Sequence, residues 1–122
     1  MTDLQQAAQD LMDLDGALAF AYVDYRNGMI LASASSVPYD LELAAAVATD
    51  FVRAKLRAAK EMGRNRRVED ILVTLSEEYH LILLSEDPAL DGVFGYLALD
   101  RGRGNLALAR RRLHAVDATA QL

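Results

Sequence analysis

Two histidines, a cluster of serines, two acid pairs and one glycine-spaced loop are the residues of this chain whose chemistry could reach beyond structure. His80 and His114 stand 34 positions apart, without the H-x-x-x-H or H-E-x-x-H spacing that turns two imidazoles toward one metal ion. They read as a strand residue and a surface helix residue. Ser33, Ser35 and Ser36 carry nucleophilic hydroxyls, but none stands in the G-x-S-x-G turn that presents a serine to a base. Placed at the end of an extended segment, they read as loop and cap hydrogen bonders. Asp13 with Asp15, and Glu77 with Glu78, are paired carboxylates of the kind used in general acid–base catalysis, at spacings that turns and helix ends also produce. Gly102-Arg103-Gly104-Asn105 leads into a helix N-terminus, where backbone N–H groups can cradle an anion. It lacks the third glycine of a dinucleotide fingerprint and the Gly-Lys-Ser/Thr of a P-loop, so a turn and cap is the better reading. The chain has no cysteine, which removes thiolate ligands, cysteine nucleophiles and disulfides together. The expectation is a protein that is not an enzyme and holds neither cofactor nor metal.

The elements that carry these residues alternate along 122 positions, expected to form a single domain over residues 1–122. Thr2 and Gln5 have the spacing of a capping box, followed by Leu4, Ala7, Ala8, Leu11 and Met12 on one helical face, so a helix is predicted to about Asp13. Ala17 to Val23 and Met29 to Ser35 form a predicted hairpin around Tyr25-Arg26-Asn27-Gly28. Both faces of its first strand are apolar, so both must be covered. Asp40 caps a long helix to about Met62, with Gly63 as its stop. Val68 to Leu75 and Tyr79 to Ser85 read as a second hairpin, Val93 to Leu99 as a further strand, and Asn105 as the cap of a last helix to about Ala118. The order α-β-β-α-β-β-β-α predicts the α+β class: an α/β sandwich with a five-stranded, mainly antiparallel sheet flanked by helices.

The long helix is the most informative element. At 100° per residue, Glu42, Thr49, Asp50, Arg53, Arg57, Lys60 and Arg64 share a polar arc, which makes Glu42, Thr49, Arg53, Arg57 and Lys60 candidates for contact with a partner. Leu41, Ala44, Ala45, Val47, Ala48, Phe51, Val52, Leu56, Ala58 and Ala59 spread over an apolar arc of roughly 200°, about twice what packing on one surface requires. The excess calls for a second apolar neighbour, most simply the same helix of another copy. Leu41, Ala45, Val52, Leu56 and Ala59, with Ile71 and Val73 from an otherwise exposed strand, are the expected dimer interface. Lys55 interrupts the arc and calls for a side chain that snorkels to its edge.

Composition narrows the function classes. Hydrophobic residues make up 52% of the chain and its net charge is −5, which suits a compact protein and disfavours generic binding to nucleic acid or anionic membranes. The charge is segregated: residues 1–50 hold eight acids and one base, whereas residues 53–67 hold seven bases and one acid. This basic run suits either a negatively charged partner or the partial negative charge of a helix C-terminus. No apolar stretch approaches the ~20 residues that span a bilayer, no secretory leader opens the sequence, and the cytoplasm is the expected location.

Asp15-Gly16-Ala17-Leu18-Ala19-Phe20-Ala21-Tyr22-Val23-Asp24 with Asn27-Gly28-Met29-Ile30-Leu31-Ala32-Ser33, together with Tyr96-Leu97-Ala98-Leu99-Asp100 and Gly104-Asn105-Leu106-Ala107-Leu108-Ala109-Arg110, resembles the bacterial Roadblock/dynein light chain family. The likeness runs from about residue 4 to residue 117, with the turn at Tyr25 and the basic run to Arg67 departing from the common pattern. It implies a homodimer in which central helices pack side by side and third strands join two sheets. It further implies a non-catalytic regulator or scaffold that binds a small Ras-like GTPase, as the bacterial gliding-motility regulator does when it stimulates its partner's GTP hydrolysis. A sensor kinase or other signalling subunit is a further implied partner. The alternative is a small-molecule-sensing domain of profilin or PAS type, which needs a pocket between sheet and helix; the alanine-rich helix favours close packing instead.

Overall fold

A computed structural model describes residues 2–63 and 67–122. Its elements are β1 (Thr2–Asp3), α1 (Leu4–Leu11), β2 (Ala17–Asp24), β3 (Met29–Ser35), α2 (Leu41–Glu61), β4 (Asp70–Thr74), β5 (Glu78–Leu84), a 3₁₀ turn (Pro88–Leu90), β6 (Val93–Asp100), α3 (Leu106–Asp117) and β7 (Ala120–Gln121). The predicted order of helices and long strands holds. A sheet ordered β3-β2-β6-β5-β4, antiparallel at every junction, forms the α+β sandwich.

Two apolar layers hold it together. On one face α1 (Leu4, Ala7, Ala8, Leu11) and α3 (Ala109, Leu113) pack on Phe20, Tyr22, Leu81, Leu97 and Leu99. On the other, α2 alone packs Ala45, Ala48 and Val52 on Ala21, Val23, Phe94 and Ala98. β2 and β6 are therefore covered on both sides, as their unbroken apolar runs require. Each large side chain buried here stabilises the fold by about 1.5–3 kcal/mol relative to an exposed one.

The local signals explain the boundaries. Asp40 caps α2 by accepting from the Leu43 amide at 3.1 Å, and Asn105 caps α3 by accepting from Leu108 at 3.0 Å. The first cap differs from expectation: Asp3, not Thr2, accepts from the Gln6 amide, at 2.7 Å. Thr2 is drawn into a two-residue parallel pairing of β1 with β7, donating its amide to Thr119 O at 3.1 Å. Gln5 therefore has no capping box to close, and its side-chain amide goes to Ser33 of β3. The second hairpin is also shorter and displaced, running from Asp70 to Thr74 and from Glu78 to Leu84.

Gly16 and Gly104 mark one close crossing. Gly16 has φ +84°, and a Cβ there would stand 2.6 Å from the Gly104 nitrogen. The loop before α3 thus needs Gly104 for packing, since a Cβ there would also stand 2.5 Å from Leu99 Cγ. Its amides are also spent internally, Gly104 N–H on Asp100 O and Arg103 N–H on Asp100 Oδ2, both at 2.8 Å. An anion cradle there would need those same N–H groups.

Candidate functional site

The wide apolar arc of α2 is divided in two by the fold. Its inner half, Ala45, Ala48 and Val52, is buried on the chain's own sheet, and Leu41, Leu56 and Ala59 are half-buried beside it. Because α2 lies closest to β2 and β3, the sheet face toward β4 is left uncovered next to it. There Leu43 (61% exposed), Val47 (42%) and Phe51 (48%) point outward at i, i+4 and i+8, one stripe of the helix. They wall a groove of about 290 Å³ whose opposite side is Val73 of β4 and whose floor includes Ile82, His80 and Tyr96.

This placement corrects part of the expected interface. Ala45 and Val52, expected to meet a second copy, are buried within one chain, since a helix must first cover its own sheet. Leu43, Val47 and Phe51 take the outward place. Ile71 and Val73 lie half-exposed on the groove face of β4, and β4 is an edge strand with β5 as its only strand neighbour among the described residues. The signal for Leu43, Val47 and Phe51 is present in the sequence as a four-residue repeat; what was missing is the rotation of α2 about its axis. Lys55 is exposed and follows Phe51 in the same four-residue row, so its charge closes the C-terminal end of the apolar stripe.

The polar arc is divided as well. Glu42, Arg57 and Lys60 are exposed. Thr49, expected in the same arc, is 4% exposed and donates its hydroxyl to Ala45 O at 2.8 Å, so it is lost to any partner. Arg53 is exposed, but its guanidinium donates to Tyr25 O at 2.7 Å and to Arg26 O, and so clamps the β2–β3 turn. Arg64 and Arg66 of the basic run lie outside the described residues, while Arg67 donates to Ser85 O at 2.7 Å.

At one end of the groove Tyr39, His80 and Tyr96, with Glu78 beside them, form one network. The Tyr39 hydroxyl lies 2.8 Å from Glu78 Oε1, 3.1 Å from His80 Nε2 and 3.0 Å from the Tyr96 hydroxyl. Burial pushes the Tyr39 phenol well above its ordinary range, and the contacts with Tyr96 and Glu78 add to the shift. Burial likewise raises Tyr96. The network is a satisfied hydrogen-bonding end to an otherwise apolar groove. His114 is exposed on α3, and no group of three His, Asp or Glu residues among those described could hold a metal ion. No described helix is long and apolar enough to cross a membrane. A second depression, about 940 Å³, lies where Leu56, Ala59 and Lys60 of α2 face Ser85 to Asp91.

No protein-family model matches the sequence, and no curated protein is similar to it in sequence. Solved structures are similar in shape. The Roadblock/LC7 domain from Streptomyces avermitilis superposes with a TM-score of 0.80 at 14% identity, covering 97% of this chain and 94% of that one. MglB from Myxococcus xanthus gives 0.80 at 19% identity, over 93% of this chain and 81% of that one. The gliding protein MglB from Thermus thermophilus gives 0.68 at 17% identity, over 93% and 87%. With its antiparallel β3-β2-β6-β5-β4 sheet, α2 alone on one face and α1 with α3 on the other, this chain has the Roadblock/LC7 fold over nearly its whole length.

Proposed function

We propose that the chain is a non-catalytic homodimeric regulator or scaffold of Roadblock type that binds a small Ras-like GTPase. The observation that carries the dimer is the apolar stripe Leu43-Val47-Phe51, continuous across the groove with Val73 beside a strand edge that no described residue pairs. Exposed apolar surface next to an open β edge is an association hazard unless a partner covers both. A second copy does so with one two-fold operation, α2 beside α2 and β4 beside β4, because an isologous interface presents the same patch twice. In this reading Leu43, Val47, Phe51, Ile71 and Val73 form the seam, while Leu56 and Ala59 face the separate depression beside Ser85.

The GTPase reading is supported by the fold shared with the gliding protein MglB and by the polar flank of α2. Glu42, Arg57 and Lys60 remain available on that flank, with Arg53 as a positioning residue for the adjacent turn. Stimulation of GTP hydrolysis and contact with a sensor kinase are its finer forms.

The test is association with the cognate GTPase, loaded with GDP or a GTP analogue, at two ionic strengths. Replacing both Arg57 and Lys60 by Glu is expected to slow association and flatten its salt dependence while leaving the oligomer intact, since rim charges act mainly on encounter. Tighter binding to the GTP-like form marks regulation, because a binder shifts a switch only through unequal affinity for its states. Equal rates for wild type and variant would remove this flank from the GTPase site. Native mass spectrometry of the same protein counts subunits and tests the sensor alternative, which predicts a retained small molecule in the depression beside Lys60.

A further inference from the structure

The two edges of the sheet differ in one respect that follows from a single side chain. β3 is seven residues without a charge or a proline, Met-Ile-Leu-Ala-Ser-Ala-Ser, and β2 is its only strand neighbour among the described residues. Such an edge is a template for a further strand, and natural sheets blunt it with lysine, proline, a bulge or a cover. Here the register shift opposite Tyr22 and Val23 leaves Leu31 unpaired with β2, disrupting the edge near its start. At its centre the Gln5 side chain donates from Nε2 to Ser33 O at 2.9 Å, and its Oε1 accepts from Ser33 N–H at 3.3 Å. A carboxamide that takes both groups of one residue makes the pair of bonds an incoming antiparallel strand would make there. Ser35 is the next residue in phase with Ser33, so the outward-facing set is short and Ser33 is its middle member.

We infer that Gln5 stands in for a neighbouring strand and closes the β3 edge, leaving β4 as the edge open to strand addition. The occupant it excludes is β3 of a second copy, because an uncharged strand offers no repulsion to its own antiparallel image. Among the described residues β4 has no corresponding clamp: its charged residue, Asp70, is held by Arg110 at 2.7 Å at one end, and Ile71 to Thr74 carry no charge. The statement about β4 rests on the dimer proposed above, whereas the statement about β3 does not.

The experiment compares molar masses by light scattering across a concentration series for wild type, Gln5→Ala and Gln5→Glu. Gln5 is exposed and alanine is a strong helix former, so α1 keeps its buried Leu4, Ala7, Ala8 and Leu11. Gln5→Ala is expected to exceed the wild-type mass: about twice that of a monomeric wild type, and a mass that climbs past twofold with concentration for a dimeric one, because a dimer joined at β4 carries two β3 edges. Gln5→Glu loses the same donor but leaves a charge at the edge, and is expected to keep the wild-type mass. Adding Ser35→Lys to Gln5→Ala is expected to restore the wild-type mass. A Gln5→Ala mass equal to wild type at every concentration, or no rescue by Ser35→Lys, overturns the role of Gln5. A doubled Gln5→Ala mass over a monomeric wild type upholds that role and overturns the β4 dimer.

Discussion

Replacing Phe51 by Glu separates the two halves of the α2 apolar arc in a single measurement. A phenylalanine side chain buries about 200 Å² when fully covered. Phe51 is 48% exposed in one chain, so about 100 Å² is left for a second copy to cover. At about 25 cal/mol per Å² this is worth about 2.5 kcal/mol. A two-fold interface contains the residue twice, which brings the loss to about 5 kcal/mol per dimer, a weakening on the order of a thousandfold or more in Kd. The introduced carboxylate adds a desolvation cost to any residual association. The single chain should be little affected, because the exposed side of Phe51 meets solvent there and a carboxylate one turn before Lys55 favours the helix. Sedimentation velocity from nanomolar to tens of micromolar protein reads the association, and chemical denaturation of the variant reads the fold. A variant that assembles with the concentration dependence of wild type would refute the reasoning and remove the outer stripe from the interface.

Two further outcomes follow from the interior. Gly16→Ala places a Cβ 2.6 Å from the Gly104 nitrogen at a backbone φ of +84°, so clash and strain together should cost about 3 kcal/mol or more; urea unfolding showing a loss under 1 kcal/mol would contradict the close crossing. Tyr22, Tyr39 and Tyr96 all have phenols raised above their ordinary value, chiefly by burial. The unfolded chain then loses these protons first as pH rises, so their contribution is fully present below about pH 10 and declines above it. Denaturation midpoints at pH 9 and pH 11 check the sign, a higher midpoint at pH 11 being the contrary result.

Much of this molecule is legible in one dimension because its signals are local. Asp40, Asn105 and Gly63 announce helix ends through the backbone groups they cap or the φ they allow, and Tyr25-Arg26-Asn27-Gly28 announces a turn. The unbroken apolar run of β2 requires cover on both faces whatever supplies it. The surplus width of the α2 arc also belongs to the sequence, since it counts more apolar residues than one contact surface can use. Tertiary structure alone decides which of them meet the chain's own sheet. That depends on where α2 lies across the strands and how it is turned about its axis, and a rotation of one helical position exchanges buried and exposed residues. Thr49 is thereby buried and Phe51 left in solvent, against the polarity of each. The same holds for Gln5 and Arg53, whose sequence neighbours suggest a cap and a solvated stripe. Their partners are Ser33 and Tyr25, 28 residues away, brought within reach only when helix and hairpin pack.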